Sequence, residues 1–229
     1  MPYVQITTKC NMSCAHCIFS CEQGKPGDFM MPAVFKAAIE FCEDYGSNIT
    51  IGGGEPTLHP RFWEYFGKAM SMDVESVWMA TNGSVTKTVK GLAHIAEGSH
   101  KFGIALSQDS WHDPIEYETI RMFEDLGLEI RNNDEHIINK GAAFDNGIGM
   151  HDGCGCADIQ IAPDGVMKMC GCPDSLVLGN IMDIDEQIID RVQEIGEDCG
   201  NCGDDLDPDV EEYILGKRDE YNIDCEAVG

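Results

Sequence analysis

Apolar residues in the first two-thirds of the chain switch repeatedly between the two-residue period of a strand and the 3.6-residue period of a helix. Residues 3–7 read as a short strand. A helix is predicted over 32–45, with Val34, Ala38, Phe41 and Tyr45 on one face and Pro32 in its first turn. A strand at 48–51, a helix at 60–70 and a strand at 75–80 follow. The helix predicted at 84–96 carries Val85, Val89, Leu92 and Ile95 at helical spacing, and 102–107 is a further strand. For 114–126 the pattern gives a helix with Asp113 as N-cap, Glu116 three residues on and Gly127 as its stop. Residues 128–131 make a fifth strand. Strands alternating with helices imply parallel β-α-β units. Five to six units fall short of a closed eightfold barrel, so the expected fold is α/β, a partial, open parallel β/α barrel of about six units.

Around Gly141 the texture changes. The apolar runs at 159–162 and 166–169 flank Pro163-Asp164-Gly165, which reads as a hairpin. A capped helix is expected over 183–195, with Glu186 at its third position and Gly196 after it. The chain divides accordingly into a barrel core, 1–145, and a small C-terminal cysteine-rich β-hairpin/helix appendage with an acidic tail, 146–229.

The formal net charge is -26, and from Asp183 onward there are 17 acidic and 3 basic side chains. Such a field repels a phosphate backbone and disfavours nucleic acid as a partner. No apolar run approaches the ~20 residues that span a bilayer. The first residues have neither the basic flank nor the apolar core of a signal peptide, so a cytoplasmic protein without membrane contact is expected. In that setting its twelve cysteines point to metal ligation or redox chemistry rather than disulfides.

Cys10, Cys14 and Cys17 form a CxxxCxxC loop directly after the first strand. Three thiolates on one tight loop suit three irons of a cubane and leave the fourth iron open. The C-terminal end of a strand is also the functional face of barrel-like α/β folds. Cys21 leaves an alternative open: with the other three it completes a four-thiolate zinc or electron-transfer site. After the second strand comes Gly52-Gly53-Gly54-Glu55-Pro56, a run that permits close approach of backbone to a ligand. Cys42 falls on a buried helix stripe, and Trp63, Trp78 and Trp111 read as core. The seven histidines show no ligand spacing.

These motifs together resemble the radical S-adenosylmethionine (SAM) superfamily. The resemblance implies that Cys10, Cys14 and Cys17 hold a 4Fe-4S cluster, with His16 at the position of the aromatic that packs on the adenine of SAM. It implies that the loop containing Gly53, Gly54 and Glu55 binds the amino group of SAM. Asn82 after the third strand, Ser107 and Asp109 after the fourth, and Arg131 and Asn132 after the fifth stand at successive strand ends where relatives contact the cofactor. Gly141, in Asn139-Lys140-Gly141-Ala142, matches the family's loop beside the methionine and adenine. Each tripeptide taken singly reads equally well as a turn.

The later cysteines resemble the SPASM or Twitch auxiliary-cluster appendage. Cys154, Gly165 and Cys170 stand at its spacing, followed by Leu178-Gly179-Asn180-Ile181 and then Cys199 and Cys202. The resemblance implies one auxiliary 4Fe-4S cluster on Cys154, Cys170, Cys199 and Cys202. Cys156 and Cys172 duplicate the first pair with one residue between, and a structural zinc ribbon suits the same thiolates. The implied activity is reductive cleavage of SAM to a 5'-deoxyadenosyl radical that takes a hydrogen atom from substrate, completing an oxidation or cross-link. A flavodoxin- or ferredoxin-type reductant is implied. SPASM relatives often modify ribosomal peptides, and compact Twitch relatives oxidise small molecules such as an amino-cyclitol alcohol. Modification of a nucleotide or DNA base, and a non-enzymatic iron–sulfur carrier or sensor, are the rival readings.

Overall fold

The computed structural model describes residues 1–46, 48–150, 158–173, 175 and 177–183. Its frame is one eight-stranded sheet in the order β5-β4-β3-β2-β1-β6-β7-β8. The strands are β1 (Tyr3–Thr7), β2 (Asn48–Gly53), β3 (Ser76–Thr81), β4 (Phe102–Ser107), β5 (Glu129–Arg131), β6 (Gln160–Ile161), β7 (Val166–Lys168) and β8 (Val177–Asn180). The helices between them are α1 (Pro32–Gly46), α2 (Phe62–Ser71), α3 (Thr86–Glu97), α4 (Tyr117–Asp125) and the short α5 (Ala142–Asp145). Neighbours from β5 through β1 to β6 all pair parallel, which gives six parallel strands in an open sheet whose edges are β5 and β8. The partial β/α barrel of about six units is therefore present, with its sixth parallel strand beside β1.

Side-chain alternation sets the two faces of the sheet. Val4 and Ile6 of β1, Ile49 and Ile51 of β2 and Val77 and Met79 of β3 enter the apolar core. They meet Phe35, Ala38, Ile39 and Cys42 of α1 and Phe62, Tyr65, Phe66 and Ala69 of α2. Phe35 and Tyr65 stack with ring centroids 4.0 Å apart, an arrangement worth about 0.5–1.5 kcal/mol beyond their burial. The Tyr65 hydroxyl donates to the Met30 carbonyl at 2.7 Å, so this buried polar tip is satisfied. The opposite face of β1 carries Tyr3, Gln5 and Thr7, and it is toward this face that the candidate site is built.

The hairpin forms as its turn chemistry dictates, with Gly165 at φ +90° and its N–H donating to the Ala162 carbonyl at 2.9 Å. It joins the barrel sheet directly: Tyr3 pairs with Gln160 and Val4 with Ile161, and Gln160 Nε2 donates to Gln5 Oε1 at 2.8 Å. The predicted helix at 183–195, with Cys154, Cys156, Cys199, Cys202 and Cys225, lies outside the described residues.

Two sequence expectations are corrected. The fourth helix starts at Tyr117, with Glu116 at the N-cap position, not after Asp113. Glu116 is non-helical at φ -57°, ψ 124°, and Ile115 packs against the core, which keeps 113–116 out of the helix. Trp63 is 50% exposed on α2 rather than a core residue. Among the described residues no helix is long and apolar enough to cross a membrane.

Candidate active site

Loops at the C-terminal ends of β1 to β5 converge on one cavity of about 320 Å³. Its walls include Cys10, Cys14, Cys17, Cys21, His16, Gly52, Gly53, Gly54, Glu55, Asn82, Ser107 and Arg131. The cysteine loop leaves β1 at Thr7, whose Oγ1 donates to the Asp28 carbonyl at 2.7 Å and accepts the Lys9 N–H at 2.9 Å. Cys17 N–H donates to the Cys14 carbonyl at 3.0 Å, and Ser20 N–H to the Cys17 carbonyl at 3.1 Å. These two turns bring the thiols into one small cluster in which Cys10, Met12 and Cys21 are buried and Cys14, Cys17 and Phe19 pack alongside.

The glycine run after β2 lies against this loop. Gly54 N–H donates to the Thr7 carbonyl at 2.9 Å, and Glu55 N–H to the Lys9 carbonyl at 2.8 Å. A Cβ on Gly54 would sit 2.6 Å from the Lys9 carbonyl oxygen and 2.9 Å from Cys10 Cβ. Glycine here allows loop to meet loop as well as backbone to face the cavity. The Glu55 side chain has a different task from its backbone. Fully buried, its carboxylate accepts from Thr57 N–H and Oγ1, from Thr81 Oγ1 and from Asn82 N–H. It fastens the β2 loop to the β3 loop, and burial raises its pKa above the usual carboxylate value against the pull of those hydrogen bonds. Asn82 in turn points Nδ2 at Asn11 Oδ1, 3.1 Å away, and toward Cys10 Sγ at 3.9 Å.

The other expected residues divide by role. Ser107 and Arg131 line the cavity, with the Arg131 guanidinium 5.5 Å from the Trp78 ring centroid. Asp109 stands behind the wall, its side chain fully buried, with Oδ2 3.6 Å from His16 Nε2 and Oδ1 2.7 Å from His112 Nδ1. Asn132 is outside the lining. Its Oδ1 accepts from Asp134 N–H at 2.8 Å, and Asp134 accepts from Ser110 N–H and Oγ, a brace between the β4 and β5 loops. Gly141, at φ +57°, packs under the cysteine loop, and the next residue, Ala142, donates its N–H to the Cys17 carbonyl at 3.0 Å. Cys170 is fully buried on the segment after β7. Cys154, Cys199 and Cys202 fall outside the described residues.

Sequence reasoning passed over Tyr3, His112 and His136, which also line the cavity. Trp111 belongs beside the site, its ring 6.3 Å from His16. Tyr3 alone had a readable signal, since strand alternation puts it on the face of Gln5 and Thr7.

The protonation states are set mainly by burial. It raises the Cys10 thiol and pushes Cys14 up to about 12. Cys17 goes the other way, to about 6, because the Cys21 thiol hydrogen-bonds to it, outweighing its own burial. His16 is held below its usual value by burial, which outweighs the Asp109 charge. Among the described residues, the buried side-chain polar atoms without a hydrogen-bond partner are His16 Nδ1, Asp109 Oδ2 and Trp111 Nε1, all at this one patch. Buried polar atoms normally have a partner, so this patch is a place where a polar group or water can pair with them. The thiols of Cys10, Cys14 and Cys17 with Cys21 beside them, the glycine cradle and this polar patch fit an iron–sulfur cluster with a polar cofactor beside it.

Comparison with known proteins agrees. The family model for the radical SAM superfamily matches residues 4–125, more than half of the chain. The chain belongs to the radical SAM superfamily. Membership makes it an enzyme of that family and implies a 4Fe-4S cluster and SAM as its cofactors. It is 34% identical over 79 residues to mycofactocin maturase MftC of Mycobacterium ulcerans, a stretch covering 34% of this chain and 21% of that protein. The same protein of Mycobacterium tuberculosis (strain H37Rv) matches at 34% identity over 79 residues and 20% of its length. The matched stretch thus spans about a fifth of these curated relatives. Among solved structures, BtrN in complex with AdoMet and 2-DOIA superposes with a TM-score of 0.64 at 18% identity, covering 88% of this chain and 87% of that one.

Proposed function

We propose that Cys10, Cys14 and Cys17 bind three irons of a 4Fe-4S cluster and that SAM occupies the adjoining cavity. The bound pair supplies a one-electron cleavage of SAM that yields a radical able to take a hydrogen atom from substrate. The reading rests on one observation: the three thiols share a cavity of about 320 Å³ with the Gly52–Glu55 backbone. The chain's own groups orient and enclose. The backbone of Gly53 and Gly54 faces the amino end of SAM, His16 stacks on the adenine, and Ser107, Asn82 and Arg131 supply polar contacts. Asp109, Asn132 and Gly141 act from behind, holding His16, the β5 loop and the cysteine loop. A flavodoxin- or ferredoxin-type protein is the reductant.

For the substrate, a small molecule is favoured over a peptide. The cavity of about 320 Å³ is at the small end for ligand sites, about the size of SAM alone. The similarity to BtrN extends along nearly the whole of both chains, and the ligands named for that structure are AdoMet and 2-DOIA. The partial match to the maturases supports the peptide reading. Cys154, Cys170, Cys199 and Cys202 form an auxiliary 4Fe-4S cluster of the Twitch type that serves the oxidation step. Anaerobic reconstitution tests the core of this reading. With dithionite and SAM, wild-type protein is expected to form 5'-deoxyadenosine and Cys14→Ala none. Absence of the nucleoside from wild type under every reductant tried would defeat it.

A further inference from the structure

Tyr3 lines the cavity from the start of β1, the strand whose other end leads into the cysteine loop. It is paired with Thr50 in the sheet, yet its hydroxyl reaches further along β2 and accepts the Gly53 N–H at 2.8 Å. That N–H lies where both ladders of β2 lose their regularity. Pairing with β3 ends at Ile51, and the register with β1 shifts between Gln5 and Thr7. A backbone donor in a partly buried wall needs an acceptor, and here a side chain supplies it. The fit is close, because a Cβ on Gly52 would overlap Tyr3 Cζ and Oη. Glycine at 52 makes room for this ring. The ring also stacks on Phe19, with centroids 5.5 Å apart and planes at 29°. Phe19 in turn packs against the thiol cluster of the cysteine loop.

We propose that Tyr3 is a positioning residue for the amino end of SAM, its hydroxyl fixing the Gly52–Gly53 peptide and its ring bracing that loop against Phe19. The proposal rests on the placement of SAM against the glycine loop. Glycine peptides turn easily when nothing holds them, because no Cβ limits φ. In a planar trans peptide the Gly52 carbonyl points opposite to the Gly53 N–H, so fixing the donor fixes that acceptor too. An ammonium group is all donor and needs acceptors at set positions, and a loop already set before the ligand arrives binds it with less ordering. The ring adds a second constraint. Glycine loop and cysteine loop both pack on its neighbourhood, so Tyr3 with Phe19 sets how closely they approach on this side of the cavity. A cofactor held between the two loops needs them at one separation.

The test is a SAM titration of the reconstituted, reduced full chain, following the electron paramagnetic resonance signal of the first cluster, which shifts as SAM binds. Competition with 5'-methylthioadenosine, which keeps the nucleoside and sulfur but lacks the amino-acid end, gives a second affinity. Tyr3→Phe keeps the ring and its stack and removes the acceptor. SAM affinity should fall about tenfold, while that of 5'-methylthioadenosine and the iron content stay as in wild type. Gly52→Ala reaches the same contact from the other side: it displaces the Tyr3 hydroxyl from Gly53 with its chemistry intact, and it should show the same selective loss. Unchanged SAM affinity in either variant would overturn the proposal. So would an equal loss for both ligands, which is what a merely structural loosening of the cavity gives. SAM binding that ignores position 3 refutes only this inference. A wild-type cluster signal indifferent to SAM refutes the placement of SAM and the inference with it.

Discussion

Asp109 Oδ1 accepts a hydrogen bond from His112 Nδ1 at 2.7 Å, and the same oxygen accepts the Trp111 N–H at 3.0 Å. The other oxygen, Oδ2, faces His16 Nε2 at 3.6 Å and has no hydrogen-bond partner among the described residues. One buried carboxylate thus fixes the tautomer of a cavity-lining imidazole and the setting of the ring expected under the adenine. Asp109→Asn puts an amide N–H either where the His112 and Trp111 donors converge or opposite His16 Nε2. A buried hydrogen bond broken on one side costs about 1–3 kcal/mol. SAM affinity should therefore fall about tenfold or more, as read by equilibrium binding to the reconstituted protein. Unchanged affinity would mean that His16 does not contact the cofactor.

Glu55 makes a second, separable prediction. Its four hydrogen bonds are all accepted, and Glu55→Gln would turn an N–H toward the Asn82 N–H now bound by Oε2 at 2.8 Å. The expected loss of stability is about 1–3 kcal/mol. The raised pKa adds a pH signature. A carboxyl whose pKa is higher folded than unfolded holds its proton more tightly in the folded state. It therefore favours folding at low pH, and the benefit is lost as pH rises through the folded-state pKa. Glutamine cannot titrate, so the gap between wild type and variant should be widest in acid and narrow toward neutrality. Urea unfolding midpoints across that range would read it, and a gap that widened with pH would oppose the assignment.

Glycine contacts predict where the cysteine loop fails first. Gly141 has φ +57° and no room for a Cβ, which would meet the Ile18 carbonyl oxygen, and Gly54 abuts Lys9 and Cys10. Gly141→Ala and Gly54→Ala should both yield folded protein with reduced iron at the first cluster. Gly127→Ala is a control for left-handed backbone alone, because at φ +65° its Cβ would meet nothing within 4 Å. It should cost stability and spare the iron content. Equal iron in all three variants would show that the loop tolerates displacement.

How much of this was legible in the sequence follows the range of the forces involved. The strands and the helix faces at Phe41, Cys42 and Val89 follow from periodicity, because burial repeats with the backbone. The thiol loop and the glycine run are local patterns and fell into one cavity as spaced. Asp113 and Glu116 mimic a capping box, and the pattern fails there: Ile115 packs against the core and the helix starts only at Tyr117. His112 and His136 reach the cavity only because the β4 and β5 loops fold back, and no local spacing encodes that. The same holds for Glu55: its carboxylate is claimed by Thr81 and Asn82 across the β2–β3 gap.

The last prediction concerns the distal cysteines. Cys170 and Cys172 are both buried, on the segment between β7 and β8. Cys170 N–H donates to Ser175 Oγ at 3.0 Å, and Ser175 N–H donates to the Cys172 carbonyl at 3.1 Å, so a tight turn holds the two together. Gly171 between them faces Phe19: a Cβ there would lie 3.4 Å from the Phe19 ring. Phe19 stacks on Tyr3 at 5.5 Å, and Tyr3 lines the cavity, so the turn rests one aromatic layer from the cysteine loop. If Cys170 ligates an auxiliary cluster, Cys170→Ala should lower iron from about eight to about four per chain, whereas Cys172→Ala should leave about eight. SAM cleavage without substrate should survive in both, since the first cluster is intact, and product from the true substrate should disappear only in Cys170→Ala. Because that alanine leaves a void in a buried turn, Cys170→Ser is the companion variant, and retention of the SAM-responsive signal confirms that the barrel is folded. Four irons in wild type with one zinc would identify the distal site as a structural zinc ribbon. Eight irons in Cys170→Ala together with four in Cys172→Ala would exchange the roles of the two thiols and leave the auxiliary cluster in place.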